Sequence, residues 1–178
     1  MGITSTVVAA FAHEFNRHRT LMERAMETLS EDQFFARPAN HVNSIAMIVK
    51  HLSGSMTSRW TDFLTSDGEK TTRDRDGEFI AKESDTRATL MDSWSRGWTA
   101  LNSTLDKLTD RDLDRQITIR GEPHTVFQAL LRGVDHVAYH AGQITYLARL
   151  WCPGAEWLTI APGKSKEHRP GYLKPPEV

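Results

Sequence analysis

The sequence holds a single cysteine, Cys152, in 178 residues. One thiol excludes an intrachain disulfide framework and a cysteine-based metal cluster. No run of about 18 apolar residues occurs, so no transmembrane helix is expected. Neither charge dominates: 22 Lys and Arg stand against 23 Asp and Glu, a formal net charge of −1. No global basic field therefore points to nucleic acid or to an anionic membrane. The first residues lack a basic leader and read as the start of a helix rather than a signal peptide, which makes a cytoplasmic protein the default expectation. Familiar catalytic signatures are also missing. There is no Gly-x-Gly-x-x-Gly and no Gly-x-Ser-x-Gly. No Glu-x-x-His supports a carboxylate-rich di-iron bundle. Gly163-Lys164-Ser165 ends like a phosphate loop, but Leu158 stands where the earlier glycine is required.

What the chain does have is a globular balance, 39% hydrophobic and 25% charged, in a length that suits one domain over residues 1–178. Its apolar pattern is helical almost throughout. Phe11, Phe15, His18, Met22, Ala25 and Leu29 share one face of a first helix, with Thr4 or Ser5 as its cap. Residues 30–43, with Pro38 inside them, read as a connection. A second helix begins after Asn43 or Ser44 and carries Ile45, Ile48, Val49, Leu52, Met56, Trp60 and Phe63 inward. The polar run 67–78 reads as a solvated surface loop. A third helix runs from about Ser84 or Asp85 to about Leu108, with Leu90, Trp94, Trp98, Leu101 and Leu105 on its stripe. Residues 116–124 alternate β-branched and polar side chains before a Gly and a Pro, and read as an extended turn or half of a small hairpin. A fourth helix starts near Thr125 and ends at Trp151, before Pro153 and Gly154. Such stripes need one another for burial. The expected fold is all-α, a four-helix bundle with long connections and an irregular tail from about residue 153.

Eight histidines in 178 residues are the compositional anomaly. His136 and His140 stand at i and i+4 on the fourth helix, so both imidazoles lie on one face, one turn apart. That spacing is a weak signal in a chain with this many histidines. Placement strengthens it: His140 falls in the apolar stripe and His136 on its shoulder, with Gly133 alongside and Gln143 at the polar edge. His51 flanks the stripe of the second helix, where it is either a polar flank residue or a third ligand facing the pair. Three imidazoles would leave an ion an open position, as catalytic sites do. His18, on the first helix stripe, reads as a pocket wall or a core residue. His13, His41, His124 and His168 read as non-ligands. Cys152 reads as a structural thiol, Trp60, Trp94 and Trp98 as core, and Arg59 and Arg96 as surface cations.

Three stretches carry a family resemblance. Residues 43–52, NSIAMIVKHL, are followed by SRWTDFL at 58–64, and HVAYHAGQI stands at 136–144. Together with IRGEPHT at 119–125 they resemble the DinB-like superfamily, and within it an uncharacterised bacterial subfamily of proposed metalloenzymes. The resemblance covers nearly the whole chain. It implies a four-helix bundle that dimerises. It implies one divalent metal per chain, zinc or nickel, held by three histidines that map onto His51, His136 and His140. Characterised relatives include S-transferases that use bacillithiol and a maleylpyruvate isomerase that uses mycothiol. The expected function is therefore metal-dependent transfer of a low-molecular-weight thiol to a small-molecule substrate. A metal-dependent hydrolase, or a non-catalytic stress-associated scaffold, is the alternative, because one scaffold hosts different chemistries.

Overall fold

A computed structural model describes residues 6–167. The chain forms α1 (Val7–Glu27), a short α2 (Glu31–Phe35), α3 (Ile45–Trp60), α4 (Arg87–Leu105), the hairpin β1 (Gln116–Ile119) and β2 (Glu122–Thr125), and α5 (Val126–Trp151). Single 3-10 turns occur at Asp76–Phe79 and Asp110–Asp112. The four long helices make a bundle in which α3 packs on α4 and α1 on α5, with α3 also meeting α5. Among the described residues no helix is long and apolar enough to cross a membrane.

Helix starts follow local chemistry. Ser44 caps α3 by accepting from the Met47 amide, and Thr125 caps α5 in a reciprocal box with Gln128. The α1 cap is Thr6; the alternatives Thr4 and Ser5 lie outside the described residues. The Val7 and Val8 amides donate to the two carboxylate oxygens of Asp110, at 3.0 Å each. A carboxylate placed there satisfies orphan amides and meets the positive end of the helix dipole.

Three expectations about the helices need correction. The 30–43 connection contains α2, whose start is a Ser30–Gln33 capping box and whose Phe34 is fully buried. That Ser-x-x-Gln pattern is a helix signal in its own right. The second long helix stops at Trp60, and Phe63 reaches the core from the turn that follows. The third starts at Arg87, after a Thr86 cap, and stops at Leu105; Leu108 is buried beyond its end. The hairpin settles the open reading of 116–124. Its two-residue turn has positive φ at Arg120 (58°) and Gly121 (74°), the signature of a type I′ turn. The tail is irregular from Cys152 to residue 167; its remainder, with His168, lies outside the described residues.

The core contains Phe15, Trp60, Trp94 and Trp98, all at most 3% exposed, as the helix stripes require. Burying each such side chain contributes about 1.5–3 kcal/mol. Gly133 lets α5 close onto this core: a Cβ there would stand 2.8 Å from Trp60 Cζ2 and 3.1 Å from Phe15 Cζ.

The run at 67–78 is a solvated loop only in part: Thr71, Thr72 and residues 74–76 are exposed, while Gly68, Gly77 and Glu78 are buried. Asp67 accepts hydrogen bonds from the Arg120 and Gly121 amides, both at 2.8 Å, and from the Glu69 amide at 2.7 Å. Gly68 N–H donates to the Thr118 carbonyl at 2.8 Å. These bonds sew the segment to the hairpin, and the following 3-10 turn packs on α3. Charge content misled the sequence reading because most of these charges are paired within the protein.

Two stability outcomes follow. Gly133→Ala overpacks the junction of α1, α3 and α5 and should cost about 1–3 kcal/mol in chemical denaturation. Asp67→Ala should lower stability by about 1 kcal/mol, a fall in Tm of about 2–4 °C. The backbone amides, Gly121 first, hold the Asp67 carboxyl down to about 2, against an ordinary 3.8. Its contribution is therefore full above about pH 5 and is lost as pH falls toward 2. The Tm gap between wild type and Asp67→Ala should narrow over that range and nowhere above it.

Candidate metal centre

His51 lies midway along α3, and His136 and His140 project from successive turns of α5. The crossing of these helices brings the three imidazoles together. His51 Nε2 stands 3.1 Å from His136 Nε2, and His140 Nε2 stands 3.2 Å from the same atom. One ring nitrogen from each lies within 4.8 Å of the others, so the cluster could hold a metal ion. Tetrahedral nitrogens about 2.0–2.1 Å from one zinc ion stand about 3.3 Å apart, close to two of these separations.

The outer ring nitrogens fix which atoms face inward. His51 Nδ1 donates to Glu78 Oε2 at 2.8 Å, and His140 Nδ1 donates to Gln143 Oε1 at 2.8 Å. A neutral imidazole has one N–H, so with all three rings in the neutral, metal-binding form, Nε2 of His51 and of His140 presents a bare lone pair. His136 Nε2 has at most one proton to share between them. At least one pair of lone pairs is left facing at hydrogen-bond distance, an arrangement that a shared cation relieves. The donor set fits a divalent ion, and the outer acceptors are the kind that orient metal-ligating histidines.

Burial keeps the two α5 rings neutral. It pushes His136 down to about 3, helped by the neighbouring His140 and His51, and His140 to about 4 despite the Gln143 hydrogen bond. Neutral imidazole is the form that binds metal. Glu78 is 6% exposed. Burial alone would raise its carboxyl, but hydrogen bonds from His51 and Arg73 and the Arg73 charge outweigh that and hold it below its ordinary value. Arg73 grips both Glu78 oxygens, with Nε and Nη2 each at 2.8 Å. Gly54 on α3 leaves the room: a Cβ there would overlap Glu78 Oε1 and stand 2.9 Å from its Cδ. The Phe79 ring lies against His51, centroids 4.8 Å apart.

One wall of the cluster opens into a cavity of about 330 Å³ bordered by His51 and His136. The other groups around it include Arg59, Arg73, Arg75, Arg120, Arg132 and Asp135.

The sequence profile of the family described as "Protein of unknown function (DUF1572)" matches residues 3–164. The chain belongs to this family. Among curated proteins none matches its sequence. A solved structure described as a conserved protein from Enterococcus faecalis is similar in fold, with a TM-score of 0.62 at 16% identity. The match covers 84% of this chain and 99% of that one.

In this DUF1572 chain the other described histidines stand apart from the cluster. His18 is a buried α1 residue, lowered in pKa by burial and then by Arg17; its Nε2 lies 3.3 Å from Arg17 Nη2. That agrees with the core reading. His13 and His41 are exposed. His124 lies on β2 rather than in a connection, 3.0 Å from the Glu122 carbonyl. Sequence reasoning found the three clustered histidines and noticed Gln143. It missed Glu78 and Arg73, assigned to solvent with the rest of 67–78, and it missed Arg59. Arg96 is exposed beside Asp92, as a surface cation should be, whereas Arg59 borders the cavity. One signal was present: the charged run ends at the aromatic Phe79, whose ring packs against His51.

Glu78→Gln keeps the shape of the residue but loses the charge that orients His51. It should weaken zinc affinity about 10–100-fold, measured by competition with a chromogenic chelator. Gly54→Ala should weaken it in the same direction by displacing Glu78, with helix content by circular dichroism retained.

Proposed function

We propose that this chain is a metal-dependent enzyme of the DinB-like superfamily, with one divalent ion held by His51, His136 and His140. The observation that carries the reading is the convergence of three imidazole nitrogens, with the outer nitrogens of His51 and His140 already committed to Glu78 and Gln143. Zinc and nickel both suit such a nitrogen donor set. A three-histidine ligand set leaves the ion's full charge uncompensated, and that charge lowers the pKa of a thiol or water at the open position.

The protein's own residues supply the rest. Glu78 and Gln143 keep the ligand nitrogens aimed inward. Arg73 neutralises the buried carboxylate, and Phe79 packs against the His51 ring. The adjoining cavity gives a small molecule a place beside the ligands, within the usual size range of such sites. We assign it the transfer of a low-molecular-weight thiol to an electrophilic substrate. Hydrolysis is the second reading, since the same open position suits water as well as a thiol. A homodimer is part of the proposal: Tyr139, Tyr146 and Leu150 are exposed on α5, at 64%, 72% and 50%, at spacings that put them on one outward side of the helix, the kind of apolar surface that marks an interface.

Mass-spectrometric metal content of untagged protein, purified without chelator, tests the metal. About one divalent ion per chain is expected in the wild type, and little in a folded His51→Ala/His136→Ala/His140→Ala variant. Metal-loaded wild type should then consume thiol in the presence of an electrophile, and His140→Ala should not. Equal metal in both proteins, or none in either after reconstitution with zinc and nickel, overturns the reading.

A further inference from the structure

The cavity beside the histidines has an unusual charge balance. Five arginines border it: Arg59 from α3, Arg73 and Arg75 from the segment before the 3-10 turn, Arg120 from the hairpin turn and Arg132 from α5. Among the described residues Asp135 is the one carboxylate on its border. Three of the arginines have acidic neighbours. Arg73 holds Glu78 and Glu69, Arg120 Nε lies 3.5 Å from Glu69, and Arg75 lies 3.9 Å from the exposed Asp76. The other two do not. Among the described residues neither Arg59 nor Arg132 is paired with a carboxylate, and the polar contact of Arg132 is His124, at 3.4 Å. Arg59 Nε is buried with no hydrogen-bond partner among the described residues.

A buried guanidinium donor without an acceptor is costly and uncommon. Several cations gathered on one small cavity add mutual repulsion. The effect is visible on Arg59, which burial and then the charges of Arg132 and Arg73 push down to about 10, still cationic at neutral pH. A protein that needed only solubility would spread these charges over open surface. Here they come from four separate stretches of chain and face one volume that also touches two of the three histidines. Guanidinium groups present planar forks that match oxyanions, and they are the side chains best suited to carboxylate or phosphate.

We infer that this cavity is a binding site for an anionic small molecule, one carrying two or more carboxylate or phosphate negative charges, with Arg59 and Arg132 as its principal contacts. The inference rests on the metal-enzyme reading only for what happens next: an anion seated there places the rest of its molecule beside His51 and His136. The seat itself is made of arginine and requires no metal. It narrows the substrate class of the proposed reaction to an acidic thiol or an acidic electrophile, and it disfavours neutral apolar substrates.

Isothermal titration of the full-length protein with sodium sulfate and with sodium succinate tests it, at low ionic strength, using neutral succinamide as control. Sulfate stands for a phosphate-like group and succinate for a dicarboxylate, so their ranking tells the two sources apart. Wild type should bind at least one with a Kd on the order of 1 mM or tighter and should ignore succinamide. Arg59→Gln and Arg132→Gln should each weaken binding about tenfold or more, while the surface variant Arg96→Gln should not. Arg132 is exposed, so its variant keeps the test valid if Arg59→Gln folds poorly. Each protein is measured with and without metal. Binding that survives metal removal and depends on the arginines supports the inference, whatever becomes of the metal reading. Binding that vanishes with the metal but ignores both arginine changes puts the anion on the ion and overturns the inference, leaving the metal reading intact. No binding of either dianion to the wild type also overturns it.

Discussion

Glu78 is a carboxylate taken out of water, and a buried charge persists only where it is paired and its lone pairs are used. The arrangement around the site follows from that requirement. Arg73 provides the countercharge through two parallel hydrogen bonds, and the His51 imidazole donates a third to Oε2. Gly54 gives the carboxylate its space against α3. Because Glu78 can accept only from an N–H, it sets the tautomer of His51. The inward nitrogen of that ring is then a lone pair aimed at α5. One buried ion pair thus converts a half-turn of loop into a constraint on the chemistry of a helix.

The same device recurs in a neutral form at His140, where Gln143 one turn further along α5 holds the outer nitrogen. Two rings are therefore oriented by different means, one by a segment distant in sequence and one by its own helix. His136 is held by neither; its position comes from the α5 backbone and from facing the other two rings. The three nitrogens meet because α5 crosses α3 closely, and that approach depends on Gly133 lying under Trp60 and Phe15. Packing in the core and ligand geometry at the site are in this sense one problem.

Charge around the site is partitioned rather than balanced locally. The carboxylates Glu69 and Glu78 hold Arg73, while Arg59 and Arg132 border the cavity with no carboxylate partner among the described residues. A chain with a formal net charge of −1 thus builds a cationic enclosure, something composition averages away. The enclosure and the histidines share one volume, so an anionic group and a reactive centre would be neighbours there.

Much of this was legible from periodicity. The stripes through Phe15, Trp60, Trp94, Trp98 and Ile144 are short-range patterns, and a helix face is a local property of sequence. The Thr125 start and Trp151 end of α5, and the i,i+4 histidines within it, were readable for the same reason. Only the tertiary fold decided the rest. Nothing local says that Asp67 clasps the Arg120–Gly121 turn, that Glu78 leaves solvent to meet His51, or that Arg59 and Arg132 face one cavity. Each of these pairs residues far apart in the chain, and a charged side chain has no periodicity to show which way it points. The sequence by itself determined the helices and which of their faces turn inward, because hydrophobic burial acts on neighbours within a turn or two. The partners of the charged groups were decided only when those helices packed, because electrostatic pairing depends on distance in space.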